Sequence, residues 1–291
     1  MSQAINDIIG IIVAGSFYSL VSAGFVILFR ATKVLSFAQG AYMLLGATVF
    51  YSMVKTGMPL VAAAVVAVLL VAAAGALTYQ TVFRRAVGLE PFALSVATIG
   101  VATAFQTATL LGWGANPLVL PTQSPTAPAF HLGSTVVTIG ELVTFVVSIA
   151  AMAGLAVWIR KSRTGLRMRA VADSQFVAMY SGINVRRVAT VAWGIAAATA
   201  AITAVLYGLV NGIDPPSIPD IGLFVFPAAI IGGLDSVPGS VAGGYVLGII
   251  YTVVGSQVGG QYQTPAVYGA LVLLILVKPR GLFGSAAVER I

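Results

Sequence analysis

The sequence predicts an all-α protein, a polytopic bundle of eight or nine transmembrane helices, and three observations carry the prediction. The 291 residues are 59% hydrophobic and only 8% charged, against roughly 25% charged in a soluble globular domain, so the chain lacks the polar surface to face water all round. The apolar residues run unbroken, as from Val61 to Leu77. Such runs exclude the alternating pattern of barrel strands and leave helices as the spanning element. The basic residues, finally, fall between the apolar runs with a marked sidedness.

About 20 mostly apolar residues cross the hydrocarbon core as a helix. Cutting at charges and at Gly/Pro clusters places spans near 8–29, 35–54, 58–80, 91–112, 135–159, 188–210, 222–235, 239–257 and 265–278. The seventh is too short to cross alone and reads either as a re-entrant half-helix or as one broken unit with the eighth. The first run is long enough to span and follows an acidic segment, which predicts no separate cleavable signal peptide.

Lysine and arginine stay on the cytoplasmic side. An N-terminus outside puts Arg30, Lys33, Arg84, Arg85, the cluster Arg160 to Arg187, Lys278, Arg280 and Arg290 inside. Of the fifteen basic residues only Lys55 then falls on the wrong side; the opposite orientation misplaces the other fourteen. A cytoplasmic C-terminus follows, and with it an odd number of crossings. The same sidedness accounts for the net charge of +7 and disfavours nucleic acid as a partner.

Two polar stretches interrupt the spans. Gly112 to Ser134, with Pro117, Pro121, Pro125 and Pro128, reads as an ordered external loop. Arg160 to Arg187 is the one cytoplasmic stretch long enough for structure of its own. It predicts an amphipathic helix from about Leu166 to Tyr180, ended at Gly182, with Leu166, Ala170, Phe176, Val177 and Tyr180 as an apolar patch suited to a groove on a partner.

Among residues that could carry chemistry, Gln39 and Gly40 open the second span beside Phe37; an uncharged polar group there faces a partner helix or a water-filled cavity. The run Ile230 to Gly239, continuing to Gly243 and Gly244, breaks a helix. It lacks the Lys-Ser/Thr ending and the soluble sheet of a phosphate loop, so close packing through small residues is the competing reading. Glu141 near the outer end of the fifth span is an intramembrane acid, weighed as a proton relay against an interfacial residue reaching water. His131 reads as a solvated loop residue, and Asp214, Pro215, Pro216 and Asp220 as a rigid external turn. A looser echo relates Ser36 to Ala47 with Ser236 to Ile249, as internal repeats in transporters do. With no cysteine and one histidine, a disulfide framework, a thiol nucleophile, a His-based metal cluster and a Ser–His triad are all excluded.

Four segments together resemble one family. Leu35-Ser36-Phe37-Ala38-Gln39-Gly40 is similar to the Asn-Phe-Ala-His/Gln-Gly signature of the branched-chain amino acid permeases of ABC importers. Ala228 to Gly239 resembles their Gly-Gly-x-Gly-Ser-x-x-Gly segment. Thr164 to Ala170 with Ala178 and Gly182-Ile183-Asn184 looks like their coupling loop, and Lys278-Pro279-Arg280-Gly281-Leu282-Phe283-Gly284 like their ending. The resemblance covers nearly the whole chain and implies a single permease domain over 1–291, of the ABC importer permease type, in the bacterial inner membrane, with the coupling loop at about 160–187. It implies a second homologous permease, two cytoplasmic ATPases that bind ATP and Mg and do the hydrolysis, and an external solute-binding protein. No cofactor is then expected in this chain, which is itself no enzyme. By the same resemblance Arg163, Thr164, Gly165, Arg167, Arg169, Ala170, Asp173, Ala178, Gly182, Ile183 and Asn184 couple to the ATPase, and Phe37, Gln39, Gly40, Gly232, Gly233, Ser236 and Gly239 lie near the pathway. Ser36 stands where the signature has Asn, Ala41 where an acidic residue is frequent, and Asp235 where Gly is typical. These departures leave urea or short-chain amides as the alternative solutes. An ATP-independent secondary carrier would need intramembrane ionisable residues or a filter, which the sequence does not clearly show.

Overall fold

The structure is a computed structural model that describes residues 2–86, 90–121, 124–132, 135–279 and 281–284. Arg280 and Arg290, counted above with the cytoplasmic charges, and Ser134, the end of the external loop, lie outside the described residues. The chain runs through α1 (Ser2–Thr32), α2 (Gln39–Lys55), α3 (Leu60–Thr81), α4 (Pro91–Trp113), a hairpin of β1 (Pro128–Leu132) and β2 (Thr135–Thr138), α5 (Ile139–Lys161), α6 (Arg163–Asp173), α7 (Gln175–Tyr180), α8 (Val185–Asn211), α9 (Ile218–Leu223), α10 (Val225–Gly232), α11 (Val237–Gln257) and α12 (Gln263–Val277).

Seven of the described helices are long and apolar enough to cross a membrane: α1, α3, α4, α5, α8, α11, and α12 with the 3-10 turn before it. Two of the expected spans fall short. The second loses its first turn because Lys33, at φ 59°, and the residues to Ser36 carry no regular structure, and Phe37 and Ala38 form a turn before α2 begins at Gln39. Hydroxyls of α4 take up the freed backbone groups: Leu35 N–H donates to Ser95 Oγ at 2.9 Å and Phe37 N–H to Thr98 Oγ1 at 2.8 Å. The seventh starts earlier than expected, and breaks at Phe224 into α9 and α10.

Small residues set the helix directions by letting backbones meet. A Cβ on Gly248 would lie 2.6 Å from Gly15 N, and Gly244 meets the Ser19 backbone. α1 and α11 therefore pack antiparallel along a glycine seam spaced four apart, as in membrane helix pairs. α8 is also antiparallel to α1, with Gly24 against Thr199 and Phe17 against Tyr207; its buried alanines, Ala192 to Ala204, receive α3 at Gly75. Gly232 meets Gly239 and Gly243 meets Ala228, making α10 and α11 a tight antiparallel corner. α1, α2 and α8 form the centre, while α3, α4, α5 and α12 turn large apolar side chains such as Leu69, Phe92, Val146 and Leu276 outward, a surface that suits lipid.

The external loop differs from its expectation in carrying the antiparallel hairpin, bulged between Pro128 and Phe130. His131 is exposed in β1. Leu118 N–H donates to Ile213 O at 2.8 Å and ties the loop to the end of α8.

Candidate functional site: a membrane cavity and a basic docking surface

The break before α2 and the break in α9–α10 face each other. Gly40 lies against the Pro219 backbone and Gly222 against Gly40, so that a Cβ on Gly40 would come within 2.9 Å of Pro219 Cα. Beside this crossing is a cavity of about 370 Å3 lined by Phe37, Gln106, Leu110, Pro219, Asp220 and Leu223. Phe37 is held by Phe226, ring centroids 4.6 Å apart, and Phe226 in turn by Phe25 at 4.9 Å. The site thus pairs an aromatic wall with one carboxylate and one amide, a combination able to hold a small solute with an apolar body and a polar head.

The expected pathway residues do not gather in one place. Phe37 lines the cavity and Gly40 shapes its floor. Gln39 points into the subunit, 2% exposed, with neither amide atom hydrogen-bonded. Gly232, Gly233, Ser236 and Gly239 sit at the other end of α10, where Leu282 N–H donates to Ile231 O and Phe283 N–H to Gly232 O. There the tail closes over the α10 carbonyls, Gly233 at φ 106° lies on the Gly284 backbone, and Ser236 caps α11 through Gly239 N–H at 3.0 Å. Two cavity residues escaped the sequence reading. Asp220, placed in an external turn, lies in the first turn of α9; Gln106 is a polar residue inside an otherwise apolar span, a signal that was available.

The segment between α5 and α8 folds as two helices rather than one. Ser174 ends α6 and caps α7, accepting from Val177 N–H at 3.3 Å. Gly165 is pressed on the Ile159 backbone, and Met168, Val171 and Ala178 are buried toward the bundle. The exposed patch is Leu166, Phe176, Val177, Met179 and Tyr180, while Ala170 is half-buried beneath it. Arg163, Arg167 and Asp173 are exposed around the patch, Thr164 is half-buried, and Arg169 folds back to the Arg160 carbonyl at 3.3 Å. α7 ends at Gly182, φ 77°: Ile183 N–H donates to Ala178 O and Gly182 N–H to Met179 O, each at 3.0 Å, the paired closure that calls for a left-handed residue. Asn184 then caps α8 through Arg187 N–H at 3.0 Å.

Residues 8–277 match the family model described as branched-chain amino acid transport system / permease component. The chain belongs to that family. It is 28% identical, over 100% of its own length and 98% of the relative's, to the high-affinity branched-chain amino acid transport system permease protein BraD of Pseudomonas aeruginosa. It is 29% identical to LivH of Escherichia coli, a permease protein of the same description, over 95% of this chain and 94% of that one. A probable branched-chain amino acid transport permease protein LivH of Methanocaldococcus jannaschii is 26% identical over 94% of this chain and 91% of its own. The backbone also superposes on a chain of the solved structure of PsaBC from Streptococcus pneumoniae in complex with Fab, with a TM-score of 0.52 at 13% identity, covering 93% of this chain and 91% of that one. That likeness concerns the fold. The protein is a multi-pass membrane permease.

Proposed function

We propose that the chain is the transmembrane permease subunit of an ATP-driven ABC importer in the bacterial inner membrane. With a second homologous permease it forms the pathway for branched-chain or related amino acids handed over by an external solute-binding protein. The observation that carries the reading is the exposed apolar patch on α6–α7, with Arg163 and Arg167 exposed on the same segment, in a chain whose family match spans 8–277. Two cytoplasmic ATPases dock there and hold ATP and Mg; this chain contributes no cofactor.

The coupling residues have a mechanical logic. Ser162 alone joins α5 to α6, and the four residues Ser181 to Asn184 join α7 to α8, so a push on Phe176 and Tyr180 reaches two spans through short connections. Gly165, Ala178 and Ile183 keep the lever packed on the bundle, Arg169 ties it back to the end of α5, Thr164 and Ala170 are half-buried, and Arg163, Arg167 and Asp173 shape its outer face. At the other end of the path, Phe37 and Asp220 receive the solute, the ring meeting an apolar side chain and the carboxylate a cationic amino group. Gln39, closed off here with its amide unpaired, reaches water or solute when α2 moves. Gly40, Gly232, Gly233, Ser236 and Gly239 permit α10 to shift against α2 and α11.

Nine membrane segments, including α2 and the α9–α10 pair, place the N-terminus outside and the C-terminus inside. The antiparallel relations of α1 with α8 and α11, and of α10 with α11, support that count. The clustering of Arg30, Arg84, Arg85, Arg160 and Lys278 at one set of helix ends supports the orientation. Residues 1–291 then form one permease domain. Uptake of labelled leucine by proteoliposomes holding the co-expressed complex and its binding protein tests the proposal: ATP-dependent uptake that Gly182→Arg abolishes is expected. Uptake indifferent to ATP overturns the importer reading. Urea uptake in place of leucine keeps the mechanism and changes the solute, an outcome the departures at Ser36 and Asp235 make worth measuring.

A further inference from the structure

At the basic end of the bundle a groove of about 650 Å3 opens between α1, α5 and the start of α11. Three guanidinium side chains line it: Arg30 from the last turn of α1, Arg160 from the last turn of α5 and Arg169 from α6. Arg30 and Arg169 also line the smaller recess beside it. The bond from Arg169 Nη2 to the Arg160 backbone carbonyl holds the Arg169 guanidinium against the last turn of α5, and Arg169 Nε is buried with no partner. Among the described residues none of the three joins an ion pair. Like charges crowded at the edge of a low-dielectric slab repel strongly, and the N-terminus of α11, whose Val237 and Pro238 line the groove, adds the positive end of a helix dipole.

Apart from Tyr245 of α11, whose hydroxyl lies 3.3 Å from Ser16 Oγ, the rest of the groove is apolar. Ile149, Met152, Ala153 and Ala156 of α5 form one wall, and Ala23 of α1 and Val241 of α11 face them. From Ile149 to Arg160 the wall is about 16 Å long, half of a hydrocarbon core of about 30 Å. A soluble anion would answer the arginines and leave this wall bare. An acyl chain would cover the wall and leave the arginines unpaired.

We propose that the groove binds one phospholipid with an anionic headgroup, its phosphate held by Arg30, Arg160 and Arg169 and one acyl chain lying along α5 toward the bilayer midplane. The site is separate from the Phe37 cavity and stands whether or not the solute assignment does. It sits where α6 leaves α5, so the bound lipid braces the root of the cytoplasmic lever.

The test uses the complex reconstituted in nanodiscs of equal phosphatidylglycerol and phosphatidylcholine, then extracted and weighed intact by native mass spectrometry. Wild type is expected to keep phosphatidylglycerol about tenfold more often than phosphatidylcholine, basic clusters at a membrane face being selective for anionic lipid. Arg30→Gln combined with Arg160→Gln should lose that preference. Ala153→Trp, which fills the apolar wall and keeps every arginine, should lose it as well, and the intact mass reports in both cases that the subunits remain assembled. Equal retention of the two lipids by wild type, or undiminished phosphatidylglycerol on either variant, overturns the proposal. So does inorganic phosphate binding equally to wild type and Ala153→Trp, which would make the site one for a free anion. A photo-cross-linker at Met152 that captures polypeptide instead of lipid overturns it too.

Discussion

Glu141 shows how an alarming residue finds a plain role. Its Oε2 accepts from Thr138 N–H at 2.8 Å and from Thr138 Oγ1 at 2.9 Å, while Thr138 Oγ1 accepts from Glu141 N–H at 3.2 Å. That is a reciprocal cap on α5, and the spacing Thr138-Ile139-Gly140-Glu141 was present in the sequence all along. Glu141→Gln should therefore leave uptake and its pH profile intact, since glutamine fills the same cap, whereas Thr138→Ala should cost about 1 kcal/mol of stability in a thermal unfolding assay. A pH profile displaced by Glu141→Gln would restore the proton-relay reading. Gln39 is the opposite case. A buried amide with no partner costs about 1–3 kcal/mol, so if packing were its only task Gln39→Leu would be neutral or stabilising. The pathway reading expects that variant to assemble at normal or higher stability and to transport at least about tenfold more slowly, a loss near 1.4 kcal/mol of barrier. Unchanged uptake would return Gln39 to the packing of the core.

At the scale of elements, the long spans were legible because twenty apolar residues in a row admit only one structure in lipid. The short ones were not, since their ends depend on distant partners. Nothing local to Leu35 and Phe37 announces that Ser95 and Thr98, sixty residues on, will satisfy their N–H groups, and nothing at Pro219 announces Gly40. The α6–α7 segment was legible in its exposed residues, Phe176, Val177 and Tyr180, but its division at Ser174 was not, because a serine reads equally as a helix residue and as a cap. Glycine spacing was more telling than it first looked. Gly244, read as the continuation of a breaker run with close packing as the competing reading, and Gly248, read only within the repeat echo, together form the contact face of α11 on α1. Gly248→Leu must push α1 and α11 apart, and overpacking of this kind costs about 1–3 kcal/mol or more. It should lower the melting temperature of the complex and its yield, while Gly269→Leu, at a position with nothing within 4 Å of an added Cβ, should do neither. Phe176→Asp should leave the melting temperature alone and strip the ATPase subunits from the complex on size exclusion.

The whole molecule has one property that makes its topology directly measurable: it contains no cysteine, so any thiol introduced is the only one to react. Thr56, exposed in the turn between α2 and α3, and Ser181, exposed between α7 and α8, lie at opposite ends of helices that run side by side. α2 leads to the first and α8 starts after the second, with Gly46 packed on Ala201 midway. The sidedness of the charges puts Lys55 and its neighbours outside and the Arg160 to Arg187 segment inside, because a cationic loop is retained on the cytoplasmic face. In intact spheroplasts a membrane-impermeant maleimide should label Thr56→Cys and spare Ser181→Cys until the membrane is opened. The inverse pattern would reverse the orientation and with it the assignment of α6–α7 to the ATPases, since a surface facing outward cannot receive force from nucleotide hydrolysed within. Labelling of both from outside would mean that α3, α4 and α5, the three spans between the two positions, do not make an odd number of crossings, and the count of nine would fall with it. With the N-terminus outside, a failure of α2, at 17 residues and about 25 Å, to cross would put Thr56 inside and Ser181 outside, so the inverse pattern is the outcome that reads on α2. The crossing of α2 and the cytoplasmic lever hold together or fail together, while the odd number of crossings from α3 to α5 is read from the two labels lying on opposite sides.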